Sequence, residues 1–413
     1  MQLPVFHISK LGLLGLRGIS VLAKFLFTVL YFKFSEEAFG TYSLVATTIF
    51  LLVFLLGLDF YSYANRAVLE NKAHIQKIII NQFTLYFALY LLLLPLIYFV
   101  FWFEKFDFQY FWIFYIVLIT EHINMEFYRL FFVFKKPWEA NISFFLRNGL
   151  WVLIAVFLLF RQHQIELSTI LWLWLLGNIL ALLFTLIQVN FKKNQLKTTD
   201  LKPDLIWIKN GIFISFPYIL STLSYKTIEF ADRYIIDFFM DKKAVGVYAF
   251  FTSMANVMNI VIFTVVISVL YPGLVESLMQ KNKDKFKKIY RQFKKEIIVY
   301  GAGMSVFLTL FLPFLLISIN KKQYMQDFFV FILLVVANLV LNFSFLHHFV
   351  MYAFKKDWQI FKATGIAALL NIVFNIFFIP IWGITGAAFA TFVSIGIIYL
   401  MKYKDAALLK KTL

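Results

Sequence analysis

The stretch Phe34-Ser35-Glu36-Glu37-Ala38-Phe39-Gly40-Thr41-Tyr42 returns 206 residues later as Met240-Asp241-Lys242-Lys243-Ala244-Val245-Gly246-Val247-Tyr248, with Ala-x-Gly-x-Tyr kept in both. Leu94-Pro95 recurs as Leu312-Pro313 at an offset of 218, and Phe134-Lys135-Lys136-Pro137-Trp138 as Phe354-Lys355-Lys356-Asp357-Trp358 at 220. The markers keep their order. Most of the drift falls where the loop around residues 276–295 outgrows its counterpart near 60–77, so the chain reads as two colinear copies of one unit. Such duplication is common in transporters and rare in enzymes.

At 62% hydrophobic residues, 15% charged and a mean hydropathy of +0.81, the chain has too little polar surface for a water-soluble globule of 413 residues. Apolar windows of roughly 20 residues, enough to cross about 30 Å of hydrocarbon, predict twelve spans. Six lie near 9–32, 41–62, 78–103, 110–134, 140–160 and 168–189, and six near 208–236, 244–271, 297–319, 327–354, 359–379 and 384–401. The expected fold is an all-α polytopic membrane protein of two six-helix lobes. An even number of spans per lobe makes the repeat parallel, with a pseudo-twofold along the membrane normal. The expected division is 1–195 for the first lobe, 196–207 for a cytoplasmic linker around Lys197-Thr198-Thr199-Asp200-Leu201-Lys202-Pro203, and 208–413 for the second.

Lys and Arg in short loops are retained on the cytoplasmic side. With both termini inside, cytoplasmic segments hold 26 of the 39 cations and external loops seven, so this orientation is expected. Most of the formal charge of +17 is then topology, and no nucleic-acid partner is needed. The cation-rich segment Asn282 to Glu296 places Phe286, Ile289, Tyr290 and Phe293 on one side and lysines on the other. It reads as a surface helix meeting anionic lipid headgroups near Lys281 to Lys295, a solvated loop being the alternative. The absence of cysteine excludes disulfides, iron–sulfur ligation and thiol catalysis. The apolar run Leu11 to Phe32 is too long for a signal-peptide core and reads as a retained first span. Short loops leave no room for an external catalytic domain.

Charges within the spans carry the functional evidence, because each costs on the order of 3 kcal/mol at a helix centre unless it meets a partner or a cavity. Arg17 and Lys24 lie seven apart on one face of span 1, with Ser20 and Thr28 continuing the stripe and no acid on that helix. Arg147, beside Asn141 and Asn148 in span 5, also has no partner nearby in sequence. A dry cationic site of this kind favours an anionic group such as phosphate, unless Glu121 or Asp59 consumes the charge across helices. Glu126 and Arg129, near Glu121 and His122, and Lys226 and Glu229, followed by Asp232 and Arg233, have the spacing of helical ion pairs or of ion-coupling groups. Asp59 and Asp237 fall near span ends. His347-His348 has either a proton-relay or a core role. Pro95, Pro217 and Pro313 are expected kinks and candidate hinges.

The segments Ile214-Ser215-Phe216-Pro217-Tyr218-Ile219-Leu220, Ala231-Asp232-Arg233-Tyr234-Ile235-Ile236 and Ala244-Val245-Gly246-Val247-Tyr248 resemble the region of spans 7 and 8 in polysaccharide-biosynthesis membrane proteins. In length, span count and duplication the whole chain resembles a Wzx-type O-antigen flippase of the multidrug/oligosaccharidyl-lipid/polysaccharide exporter superfamily. The resemblance implies a non-enzymatic transporter of lipopolysaccharide or capsule biosynthesis in the bacterial inner membrane. It would move an undecaprenyl-pyrophosphate-linked oligosaccharide to the outer leaflet by alternating access, without a cofactor but with coupling to H+ or Na+. A polysaccharide polymerase and a chain-length protein are the implied partners. The balance of six cations and six acids within spans keeps an ion-coupled drug antiporter of the same superfamily as the alternative. A polymerase or membrane acyltransferase fits less well.

Overall fold

The computed structural model describes residues 4–70, 75–104, 106–188 and 202–411. The helices of the first copy are α1 (Pro4–Phe34), α2 (Glu36–Gly57), the short α3 (Tyr61–Glu70), α4 (Ile75–Phe103), α5 (Phe111–Val133), α6 (Pro137–Gln162) and α7 (Leu167–Gln188). Those of the second are α8 (Leu205–Phe239), α9 (Lys242–Met279), α10 (Lys283–Ser318), α11 (Phe328–Ala353), α12 (Asp357–Trp382) and α13 (Ile384–Lys411). Among the described residues, eleven helices are long and apolar enough to cross a membrane. The twelfth expected span, α5, has 23 residues but carries Glu121, His122, Asn124 and Glu126, which lower its hydropathy. The chain is an all-α, multi-pass membrane protein.

The repeated motifs mark equivalent joints. In both Phe-Lys-Lys-x-Trp copies the first lysine turns left-handed, Lys135 at φ 58° and Lys355 at φ 55°. The N–H of Lys136 donates to Phe131 O at 2.8 Å and that of Lys356 to Met351 O at 3.0 Å, closing the helix end in the same way. The next helix then starts at Pro137 or Asp357. The glycines of Ala-x-Gly-x-Tyr mark a crossing of α2 and α9. A Cβ on Gly40 would lie 1.8 Å from Lys242 O, and one on Gly246 would lie 1.9 Å from Glu36 O. Backbones meet directly there, as small residues permit between membrane helices.

The chain divides into two compact units, one of residues up to Ser35 with Val45–Ile219, the other of Glu36–Leu44 with the chain from Leu220 on. This division differs from the expected one because α2 and α8 are continuous helices whose two ends pack in different units. The first part of α8 packs in the first unit. Trp207 lies against Tyr63 with ring centres 4.7 Å apart, the Gly211 backbone comes close to the Phe60 and Tyr63 rings, and Asp204 N–H donates to Asn81 Oδ1 at 2.8 Å. Pro217, which interrupts the helical hydrogen-bond ladder, stands two residues before the boundary. Residues 196–201 of the expected linker lie outside the described residues, as do Lys72, Lys105, Lys192 and Lys193.

The first unit packs around Phe27, Trp151 and Trp174, the two indoles stacked at 5.5 Å. In the second, Ala337, Ala367, Ala368, Ile395 and Ile398 let α11, α12 and α13 approach closely. The expected surface helix is not separate, because α10 is continuous for 36 residues from its Asn282 cap. Its apolar side packs on protein: Phe293 stacks with Phe349 at 6.4 Å, and Ile289 Cδ1 sits near Gly273. Lys287, Lys288, Arg291, Lys294 and Lys295 remain exposed.

Candidate functional site

One face of α1 presents Arg17 and Lys24, both exposed. Arg17 Nε donates to Asn141 Oδ1 at 2.6 Å, and its Nη2 to the Tyr128 hydroxyl at 2.7 Å. Lys24 Nζ donates to Asn148 Oδ1 at 3.1 Å. The sequence spacing is repeated on the partner helix, where Asn141 and Asn148 also lie two turns apart. These partners are neutral. Among the described residues neither cation forms an ion pair, though the Glu121 carboxylate acts on Lys24 electrostatically from beyond contact distance. Asn148 lies in a π-helical segment, Leu146–Leu150, that interrupts α6. One wide turn re-aims Arg147 and Asn148 within an otherwise α-helical rod, a device frequent at functional sites. Gly149 permits the close approach to α1, since a Cβ there would lie 2.7 Å from Ser20 Oγ.

Arg147, expected beside these two as an uncompensated cation, has a partner across helices. Its Nη1 lies 3.5 Å from Glu121 Oε1 and donates to Glu121 O at 3.4 Å, while Trp174 Nε1 donates to Glu121 Oε2 at 3.0 Å. The pair is buried. Arg147 also lies over the Tyr128 ring that supports Arg17, at 6.0 Å. It forms a second layer behind the exposed pair.

Glu126 and Arg129 do pair, but in a network rather than on a helix surface. Glu126 Oε2 accepts from Gln82 Nε2 at 2.7 Å and from the Tyr86 hydroxyl at 2.9 Å, and Arg129 lies 3.6 Å over the Tyr61 ring. His122 Nδ1 is 2.7 Å from the Tyr90 hydroxyl, and its Nε2 is 3.9 Å from Glu126. Asp59 is buried at the left-handed turn Leu58-Asp59 between α2 and α3. These groups tie α3, α4 and α5 together.

The second unit encloses a cavity of about 400 Å3 lined by α8, α9, α11 and α13. Asp232 is buried in its wall and accepts a 2.6 Å hydrogen bond from Tyr248, the tyrosine of the second Ala-x-Gly-x-Tyr copy. Glu229, also on the wall, pairs with Lys226 at 2.6 Å, and Arg233 lies over Phe230 at 5.3 Å. Asn259 donates to Asn338 Oδ1 at 2.7 Å and accepts from Asn342 at 2.6 Å, forming an amide ladder. Asp237 pairs with Lys242 at the end of α8.

Sequence reasoning missed the ladder, although Asn256 and Asn259 recur one turn apart in an apolar helix. It also placed Lys402 in a cytoplasmic tail, whereas α13 continues past it and buries it completely. Its ammonium donates to the Tyr225 hydroxyl and lies 3.4 Å from His348 Nδ1. One cation leaves the cytoplasmic count, too few to change the expected orientation. Adjacent His347 faces the Tyr399 and Tyr403 rings instead.

A family model described as "Polysaccharide biosynthesis protein" matches residues 11–278. No curated protein matches the chain by sequence. Among solved structures, the inward-facing conformation of a multidrug resistance MATE family transporter of the MOP superfamily superimposes with a TM-score of 0.74 at 14% identity, covering 95% of this chain and 96% of that one. An outward-facing conformation described in the same terms gives 0.65 at 14% identity, over 96% and 94%. A MOP superfamily transporter from Pyrococcus furiosus, described as having a binding pocket of reverse polarity, gives 0.63 at 14%, also over 96% and 94%. The fold is that of MOP-superfamily transporters.

Proposed function

Since the chain belongs to the polysaccharide biosynthesis protein family, we propose that this transporter is a flippase for an undecaprenyl-pyrophosphate-linked oligosaccharide, an O-antigen or capsular repeat unit. It would act in the bacterial cytoplasmic membrane, with both termini inside. The observation that carries this reading is the α1 face. Two exposed cations held by neutral amides and a phenol are pre-oriented donors with charge left over, which suits a pyrophosphate. Arg147 supports the face from behind, and its pairing with Glu121 leaves it less charge to offer. The cavity acids Asp232 and Glu229 are the proposed coupling groups for H+ or Na+. The same acids favour the second reading, an ion-coupled antiporter of organic cations.

The test is export of surface polysaccharide in a deletion strain complemented with variants. Arg17→Gln and Lys24→Gln are expected to lower export at least about tenfold, the loss of one charge-assisted contact of roughly 1.5–3 kcal/mol, with membrane insertion unchanged. Lipid-linked oligosaccharide should accumulate on the cytoplasmic face. Normal export by both variants, together with drug sensitivity on deletion, would select the antiporter instead.

A further inference from the structure

The start of α10 carries Lys287, Lys288, Arg291, Lys294 and Lys295, all exposed, and among the described residues none of the five forms an ion pair. Lys285, beside them, is instead spent on Glu276. At 3.6 residues per turn the five fall within about a third of the helix circumference. Phe286, Phe293 and Ile297, buried on the other side, fix which way that sector faces. Because α10 runs without a break from its Asn282 cap to Ser318, the same side can be followed into the span. Lys288, Arg291, Lys295, Ile298, Ala302 and Val306 succeed one another at steps of three or four residues, all of them exposed, and so form one row. The row turns from charge to hydrocarbon between Lys295 and Ile298, and Val306 is 61% exposed. An exposed aliphatic row on a spanning helix belongs against lipid chains, which places the cations directly over the headgroups of those same lipids.

We propose that this row is a docking surface for anionic phospholipid headgroups, met by a helix that stands through the headgroup layer rather than lying in it. The inference is independent of what the protein transports. From Lys288 to Lys295 the helix rises about 10 Å. The headgroup layer adds about 5–7 Å to each side of the hydrocarbon, and the Debye length at physiological salt is about 8 Å, so the whole row lies within reach of surface charge. The shared fold does not demand these cations. At the repeat offset of 218, Arg291, Lys294 and Lys295 correspond to Ala73, Gln76 and Lys77, one cation against three. An acidic protein segment could reach the row only by standing over the lipid that the same face already meets. Charge complementarity and register with the aliphatic row therefore select lipid as the occupant.

The experiment places a benzophenone amino acid at Gln292, exposed among the cations, in the full chain. The protein is reconstituted in nanodiscs holding phosphatidylglycerol and phosphatidylcholine in equal amounts, and the crosslinked lipid is identified by mass. Phosphatidylglycerol is expected to be captured at least about tenfold more often, the scale of two or three cations near a charged surface. In about 1 M sodium chloride, where the Debye length falls to about 3 Å, the preference should fade. Arg291→Gln, Lys294→Gln and Lys295→Gln combined should remove most of it, whereas Arg291→Lys, Lys294→Arg and Lys295→Arg combined should keep it. Equal capture of the two lipids by the unaltered row, or a preference that survives in the triple glutamine variant, would overturn the proposal. So would capture of neither lipid, which would leave the row to a soluble acidic partner, or loss of the preference on adding inorganic phosphate, which would assign it to free phosphate.

Discussion

At the scale of single residues, the same chemistry plays different parts according to what it touches. Arg17 and Arg147 look alike in sequence, yet one is exposed with neutral partners and the other is buried against Glu121. Arg147→Ala should therefore destabilise the fold by about 3–5 kcal/mol, because it strands a buried carboxylate. The double variant Arg147→Ala with Glu121→Gln is expected to recover most of that loss in thermal unfolding of the detergent-solubilised protein. No recovery would show that Arg147 acts independently of Glu121. Gly246 is constrained by its neighbour's backbone rather than by its own dihedral angles. Gly246→Ala must displace Glu36 O, 1.9 Å from the new carbon, and is expected to cost about 3 kcal/mol, whereas an unchanged melting point would contradict the close crossing.

Among the helices and turns, the repeated Phe-Lys-Lys-x-Trp segments have a local reason to persist. Each puts a lysine in the left-handed region at a helix end, where glycine carries no steric cost. Lys135→Gly and Lys355→Gly should each stabilise by up to about 1 kcal/mol, read as a higher unfolding temperature. A fall in both would mean that the lysine side chains make contacts that outweigh the strain. The amphipathic pattern from Asn282 to Glu296 was readable, but what covers its apolar side was not. Periodicity reports that a face is buried and is silent on whether lipid or protein buries it. Here Phe349 and Gly273 supply the cover. The π segment at Leu146–Leu150 left no sequence signal, because one extra residue in a turn is decided by how α6 fits its neighbours.

For the molecule as a whole, orientation is directly testable because the chain contains no cysteine. Single cysteines at His163 and Lys243, both exposed, should react with an impermeant maleimide in intact cells. Those at Lys288 and Lys404, also exposed, should react only after permeabilisation. The reverse pattern would invert the topology. The sequence by itself determined the membrane class, the helix-by-helix order and the duplication, because span hydropathy and turn motifs are local properties that survive without knowledge of any long-range contact. Tertiary structure alone decided the pairing. Whether a cation in a span is spent on an acid, as Arg147 is on Glu121, or held by neutral amides, as on the α1 face, depends on residues more than a hundred positions apart or on neighbouring helices. The Ala-x-Gly-x-Tyr stretch was visible as a repeat, but its meaning as a backbone crossing, with Tyr248 of the second copy holding Asp232, needed both helices in place.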